Sequence, residues 1–200
     1  MTLPLLPLPL KTIDALLVID MQEFFFRLPE RRNGLAQVIQ SINRLIQHFD
    51  MLGWPVVHVI SAYQPDKTDW DLKMKVSDTP ELILGTAEVQ ILPEINVQPN
   101  HWHVRKTRYS AFFKTDLAER LQAAGIHRVM VCGAYTHYCV NATVFDAFAH
   151  DFVPGLITDA VLSHLPEEAN VMLNRMRRNG YHLFTIDEYL HQLKNPIGSG

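Results

Sequence analysis

Short uninterrupted apolar runs alternate along this chain with stretches whose apolar residues recur every three or four positions. Residues 15–19 (Ala-Leu-Leu-Val-Ile) form a run that stops at Asp20, as expected of a strand buried on both faces. Leu35, Val38, Ile39, Ile42, Leu45, Ile46 and Phe49 then repeat with helical spacing, which predicts an amphipathic helix over about 34–51 closed by Gly53. Residues 54–60 read as a second strand. From Ser61 to Asn100 the periodicity dissolves into polar, proline-containing sequence, and a segment that long is expected to be functional or to hold small local elements. Regularity returns with a brief strand at 101–104 and a helix capped by Thr115, carrying Leu117, Leu121 and Ala124 and stopped by Gly125. A clear strand at 128–132 and a tight turn at 133–138 follow. A helix then begins close to Cys139, with Val140, Thr143, Val144, Ala147 and Phe148 on its apolar side. A strand at 153–158, a helix at 166–179 stopped by Gly180, and a last strand at 181–186 complete the pattern.

Strands alternating with helices imply parallel pairing, hence an α/β chain folded as a three-layer α/β/α sandwich. The pattern divides the chain into a domain over 13–194, an extended Leu/Pro-rich N-terminal arm over 1–12 and a flexible tail over 195–200. In such sheets ligands sit outside the carboxyl ends of the strands. That rule selects three reactive residues: Asp20 after the first strand, Lys106 after the strand at 101–104, and Cys139 past the turn that follows 128–132.

Each of the three has two readings. Cys139 in the first turn of a helix would sit at the positive dipole end, where a thiol pKa falls and backbone N–H groups can hold an oxyanion. A free cysteine is also commonly a small buried hydrophobe, and that reading suits mid-strand Cys132 better. Asp20 beside Lys106 is either a base oriented by a cation or a partly buried ion pair. His101 and His103 share a strand face, but they are better read as flanking Trp102 than as metal ligands. No glycine-rich phosphate loop and no Ser-His-Asp arrangement stands out.

Composition narrows the class. Lys plus Arg is 18 against 21 for Asp plus Glu, a net charge of −3, so no basic field draws nucleic acid or an anionic membrane. The N-terminus has Pro4, Pro7 and Pro9 and no basic residue before Lys11, unlike a secretory signal. No apolar stretch approaches the ~18 residues of a membrane span. Two cysteines without CxxC spacing fit a reducing, cytoplasmic setting.

The segments Leu17-Val-Ile-Asp20-Met-Gln22, Lys106-Thr-Arg-Tyr-Ser-Ala-Phe112 and Gly133-Ala-Tyr-Thr-His-Tyr-Cys139-Val, with Asp146-Ala147, resemble the isochorismatase-like cysteine hydrolase superfamily. The resemblance runs in order from about Asp14 to Leu190. It implies a Rossmann-like six-stranded parallel sheet of order 3-2-1-4-5-6 and an Asp-Lys-Cys triad formed by Asp20, Lys106 and Cys139. It also implies a cis peptide at Ala134–Tyr135, an oxyanion hole from the N–H groups of Tyr135 and Cys139, a small-molecule substrate and a homo-oligomer. No cofactor and no metal are implied, because Ser61-Ala-Tyr-Gln-Pro65 lacks the Asp-x-His pair of the nicotinamidase-like members. Aromatic residues on the strand-edge loops, Phe25, Tyr63, Trp70, Tyr109 and Tyr135, together with His137, are the expected substrate-binding walls.

Two chemistries compete within the superfamily. Arg108 to Phe112, Gly133 to His137 and Thr158-Asp-Ala160 are similar to the true isochorismatases, which cleave a vinyl ether with the aspartate as general acid. Those enzymes carry a small residue such as glycine where this chain has Cys139, and Ala where it has Thr136. No arginine lies between Gln64 and Pro80 to anchor isochorismate's carboxylates, only Lys67, Lys73 and Lys75. The retained cysteine and threonine favour cleavage of an amide or ureide C–N bond through a thioester. A binding or assembly module with an unused site is the third reading.

Overall fold

The computed structural model describes residues 4–6 and 13–194. Six strands, β1 (Asp14–Ile19), β2 (Val56–Ser61), β3 (Trp102–Lys106), β4 (Arg128–Ala134), β5 (Val153–Leu162) and β6 (His182–Phe184), form one sheet in the order β3-β2-β1-β4-β5-β6. Every pairing is parallel. This is the expected 3-2-1-4-5-6 arrangement.

The strands are continuous apolar runs because both faces are covered. On β1, Leu17 and Ile19 pack with Val57, Val131, Leu121 and Val144, whereas Leu16 and Val18 pack with Met130, Ile42, Leu45 and Tyr189. One helical layer is therefore α1 (Leu35–Leu52) and the C-terminal helix α6 (Ile186–Lys194). The other is α3 (Leu117–Ala123), α4 (Asn141–Ala149) and α5 (Pro166–Arg178). Burial of this apolar surface is the main drive to fold, at roughly 25 cal/mol per Å².

Several boundaries differ from the sequence reading. Lys106 is the last residue of β3 rather than a residue beyond it. Thr115 caps α3 from one residue further out than expected: Asp116 is the residue that precedes the helix, and the Thr115 hydroxyl accepts from Leu117 N–H, the first of α3, at 3.4 Å while donating to Ala111 O at 2.6 Å. The stretch 61–100 is ordered by α2 (Leu72–Ser77), a 3-10 turn at Ala87–Val89 and a small core of Phe24, Tyr63, Trp70, Met74, Leu82 and Val89. The last strand ends at Phe184, and α6 begins where strand was expected to continue. A reciprocal cap starts α6: Thr185 N–H donates to Glu188 Oε2 at 2.7 Å, and Glu188 N–H to Thr185 Oγ1 at 3.3 Å.

Of the expected N-terminal arm, residues 4–6 lie against the domain itself. Leu6 N–H donates to Gly180 O at 3.0 Å, and His182 Nε2 is 2.8 Å from Leu6 O. The rest of the arm and the expected tail over 195–200 lie outside the described residues.

One glycine has a direct bearing on the site. Gly133, at φ +109°, lies against β1, and a Cβ there would sit 2.1 Å from Ile19 O. Only glycine permits that approach. It lets the chain leave β4 beside the end of β1, bringing the turn that holds Cys139 next to Asp20.

Candidate active site

Four adjacent strands, β3, β2, β1 and β4, deliver one polar side chain each to their shared carboxyl edge: Lys106, Ser61, Asp20 and, past the turn after β4, Cys139. All four are buried. Asp20 has a left-handed backbone with φ 50°, a sparsely populated region for a residue with a Cβ that is enriched at functional sites. Its N–H donates to Val59 O at 2.9 Å, and Gln22 N–H donates to Asp20 O at 2.8 Å, so the unusual turn is locked from both sides.

The carboxylate is asymmetric in its contacts. Oδ1 accepts hydrogen bonds from both Ser61 N–H and Ser61 Oγ, each at 3.0 Å. Oδ2 faces Lys106 Nζ at 2.8 Å as an ion pair and accepts no hydrogen bond. Lys106 Nζ donates to Ser61 Oγ at 2.6 Å and to Cys139 Sγ at 3.3 Å. One ammonium therefore touches the carboxylate, the hydroxyl and the sulfur together.

Ser61 and Gln22 were not singled out from sequence, although each meets the strand-end criterion. Gln22 anchors the group: its Nε2 donates to Ser61 O at 2.9 Å and Val89 O at 3.0 Å, and its Oε1 accepts from Ser61 N–H at 2.9 Å. An uncharged residue following the reactive one by two positions carries little chemical signal, which is why it escaped notice.

The thiol does not behave as its position suggested. Thr136–Val140 forms a π-helical turn, and α4 begins only at Asn141. Burial pushes the Cys139 thiol pKa well above its ordinary value, the Asp20 carboxylate pushes it further, and Lys106 opposes both. The expected fall in pKa is thus reversed, and the resting sulfur is a thiol. Burial pulls the Lys106 ammonium pKa down, but Asp20 and then Cys139 more than restore it, so it stays charged. The Ala134–Tyr135 peptide is cis. Cys132 is buried in β4 with Sγ 3.6 Å from Leu17 O, and burial alone raises its pKa.

A cavity of about 310 Å³ opens above Cys139, lined among others by Phe25, Tyr63, Tyr109 and Tyr135. Burial and the Asp71 carboxylate hold the Tyr63 hydroxyl protonated. Trp70 and His137 lie outside the cavity wall. Trp70 sits in the small core and donates from Nε1 to Gln64 O at 2.9 Å. His137 has Nδ1 2.8 Å from Ser163 Oγ, and His164 reaches the cavity in its place. The Thr158-Asp-Ala160 motif is structural: Asp159 Oδ1 accepts from Ile186 N–H at 2.9 Å, at the start of α6. Among the described residues no group of three or more His, Cys, Asp or Glu is arranged to hold a metal ion, and no helix is long and apolar enough to cross a membrane.

Comparison with known proteins gives a consistent picture. Residues 14–188 match the Isochorismatase domain. The phenazine biosynthesis protein PhzD1 of Pseudomonas aeruginosa is 31% identical over 88% of this chain and 84% of its own length. Among solved structures, an isochorismatase family protein from Desulfovibrio vulgaris superposes with a TM-score of 0.84 at 27% identity, covering 92% of this chain and 100% of that one. The N-carbamoylsarcosine amidase of Thermoplasma acidophilum superposes with a TM-score of 0.74 at 26% identity, covering 88% and 97%. With the sheet order, the strand-edge cluster and a domain match across nearly all of the described chain, this protein belongs to the isochorismatase family.

Proposed function

We propose that this chain is a cysteine-dependent hydrolase that cleaves a C–N bond of a small amide or ureide through a thioester on Cys139. The observation that carries the reading is the contact of Lys106 Nζ with both Asp20 Oδ2, at 2.8 Å, and Cys139 Sγ, at 3.3 Å. A nucleophile, a base and the cation that orients them meet at one point, the arrangement that covalent catalysis requires.

Asp20 takes the thiol proton on Oδ2, the oxygen that accepts no hydrogen bond. The sulfur attacks the carbonyl carbon, and the oxyanion rests on the N–H groups of Tyr135 and Cys139. The C–N bond breaks as Asp20 returns the proton to the leaving nitrogen. Water then attacks the thioester, giving its proton to Asp20, and release of the carboxylic or carbamic acid restores the thiol. Lys106 stays protonated throughout and holds the carboxylate and the sulfur in register. Raised thiol pKa supports this order of events: the sulfur is activated by substrate-phase proton transfer and is not a standing thiolate.

A second reading, vinyl-ether cleavage with Asp20 as general acid and no role for sulfur, draws on Arg108 to Phe112 and on the similarity to a probable isochorismatase of Pseudomonas chlororaphis, 32% identical over 74% of this chain and 70% of its own length. The discriminating experiment measures ammonia release from an amide and ureide panel, and pyruvate release from isochorismate. Wild type is compared with Cys139→Ala, and intact-mass spectrometry looks for an acyl adduct. C–N hydrolysis with an adduct on Cys139, both lost in Cys139→Ala, is expected. Pyruvate release undiminished in Cys139→Ala would establish the vinyl-ether reading, and silence in every assay would favour a binding module. A cytoplasmic setting and a homo-oligomeric state belong to the same proposal, the latter tested by sizing with light scattering.

A further inference from the structure

Charge is distributed unevenly around the cavity. Arg27, Arg31, Lys73 and Arg108 all line it, as do Asp71 and Glu81. Half of these charges are already engaged within the protein. Arg27 pairs with Glu88 at 3.3 Å. Asp71 accepts from Met74 N–H at 2.8 Å through Oδ1 and from the Tyr63 hydroxyl at 3.2 Å through Oδ2. Arg108 donates to the main-chain carbonyls of Thr107 and Asp69. Among the described residues, Arg31, Lys73 and Arg108 have no carboxylate within ion-pair distance. With the Arg108 donors spent on carbonyls, Arg31 and Lys73 are the two cations left facing the uncommitted carboxylate of Glu81.

Arg31 is the more definite of the two. It lies in the 3-10 turn Pro29–Arg32, whose neighbouring cations are spent on protein acids: Arg27 on Glu88, and Arg32 on Glu23 at 3.8 Å. Its guanidinium hydrogen-bonds the Tyr135 hydroxyl and its charge acts on His164; the two rings meet edge to face at 4.5 Å, so the guanidinium belongs to that end of the cavity, where no carboxylate meets its charge. The Tyr135 hydroxyl donates to Phe25 O, which fixes the ring. His164 is held neutral, by burial first and then by Arg31, and adds no competing cation.

We propose that Arg31 is the anion-recognising residue of this cavity and that the molecule cleaved there carries a carboxylate. The inference rests on the hydrolase reading above and adds the charge class of the substrate. A guanidinium presents a planar fork that matches a carboxylate with two parallel hydrogen bonds. In a partly enclosed cavity the attraction is screened less than at the surface. A site built around such a donor discriminates strongly against a neutral analogue, because the cation is then left unpaired. Lys73, exposed on α2, offers a flexible point charge and is assigned the smaller part.

The test uses two alkylating agents with the same reacting carbon and the same leaving iodide. Iodoacetate carries a carboxylate and iodoacetamide does not. Rates at Cys139 are read by peptide mass spectrometry on the folded chain and on the same chain unfolded in denaturant. The ratio of iodoacetate to iodoacetamide rates at Cys139 should exceed that of the unfolded chain by roughly tenfold. Arg31→Gln should abolish the excess while leaving the iodoacetamide rate unchanged, Arg31→Lys should keep part of it, and Lys73→Gln should reduce it less. A ratio equal to that of the unfolded chain, or one insensitive to Arg31→Gln, overturns the anion assignment and leaves the hydrolase reading intact. Loss of the excess in Lys73→Gln but not in Arg31→Gln overturns it as well. If Cys139 reacts with neither reagent, as can happen for a buried thiol of raised pKa, calorimetric titration with benzoate and benzamide decides about Arg31. Preference for benzoate that vanishes in Arg31→Gln upholds its role, and equal binding of the two refutes it.

Discussion

Strand β1 carries a buried aspartate at each end, and the two are put to opposite uses. Asp14 starts the strand opposite Arg128, its register partner on β4. The guanidinium holds it with two hydrogen bonds, Nε to Oδ1 at 2.8 Å and Nη2 to Oδ2 at 2.6 Å, and the Tyr189 hydroxyl of α6 adds a third at 2.6 Å. Asp20 follows the strand. Its partner is a lysine whose ammonium is shared with a serine and a thiol, and its Oδ2 accepts no hydrogen bond. A guanidinium fork saturates a carboxylate and makes a rivet, whereas a point charge orients one and leaves room for a proton. Both pairs are buried in one sheet; their difference lies in how completely the carboxylate is satisfied.

The largest contrast is in turnover. Cys139→Ala and Asp20→Asn should each lower kcat by about a thousandfold or more, measured on the same amide or ureide substrate. Cys139→Ala should leave the thermal midpoint nearly unchanged, whereas Asp20→Asn strips the buried Lys106 of its counter-charge and should lower it as well. Asp14→Asn should cost stability while sparing turnover. It leaves Arg128 buried without its counter-charge, so it should cost about 3–5 kcal/mol in urea denaturation while the folded fraction retains its kcat. Equal kcat losses from Asp14→Asn and Asp20→Asn would erase the distinction between the two ends.

A smaller effect concerns acid stability. His58 Nε2 lies 2.9 Å from His101 Nδ1, and His101 Nε2 lies 2.9 Å from Asp50 Oδ1. Burial, then His101 and His103, lower the His58 pKa from 6.5 to about 4. The unfolded chain binds a proton below pH 6.5 that the folded chain refuses. Stability is therefore fully present above pH 6.5 and is lost as pH falls to about 4, by up to about 3 kcal/mol. In urea titrations His58→Gln should flatten that slope without shifting the pH profile of kcat. Smallest is Ser61→Ala, which removes one hydrogen bond from Asp20 and one from Lys106. It should lower kcat by roughly tenfold, in keeping with the loss of ~1–2 kcal/mol of positioning.

How much of this was legible in the chain depends on how each feature is encoded. The parallel α/β/α sheet follows from apolar runs of strand length between helical periods, whereas its 3-2-1-4-5-6 order was implied by the family resemblance. Asp20, Lys106 and Cys139 follow from asking which reactive residues terminate those runs, and the structure brings all three together. Ser61 met the same criterion, but a hydroxyl has no charge to attract notice. Residues 61–100 look formless because Tyr63, Trp70, Met74, Leu82 and Val89 are joined by tertiary contact at irregular spacings. Helix α6 was available in principle: Thr185 and Glu188 form a capping box, and Ile186, Tyr189, Leu190 and Leu193 keep helical spacing. Its start was hidden by the β-prone run before it. The direction of the thiol's pKa was not legible, since it depends on burial and on the approach of Asp20, which no local pattern records.

Proton transfer from Cys139 to Asp20 is tested most directly by following iodoacetamide alkylation of Cys139 against pH in wild type and in Asp20→Asn, alongside turnover. Removing the carboxylate charge that raises the thiol pKa should shift the alkylation profile to lower pH, so that Asp20→Asn alkylates faster near neutrality while its turnover collapses. An alkylation profile that stays put or moves to higher pH in Asp20→Asn would show that the carboxylate and the sulfur are not coupled, and Asp20 could not be the base that activates Cys139.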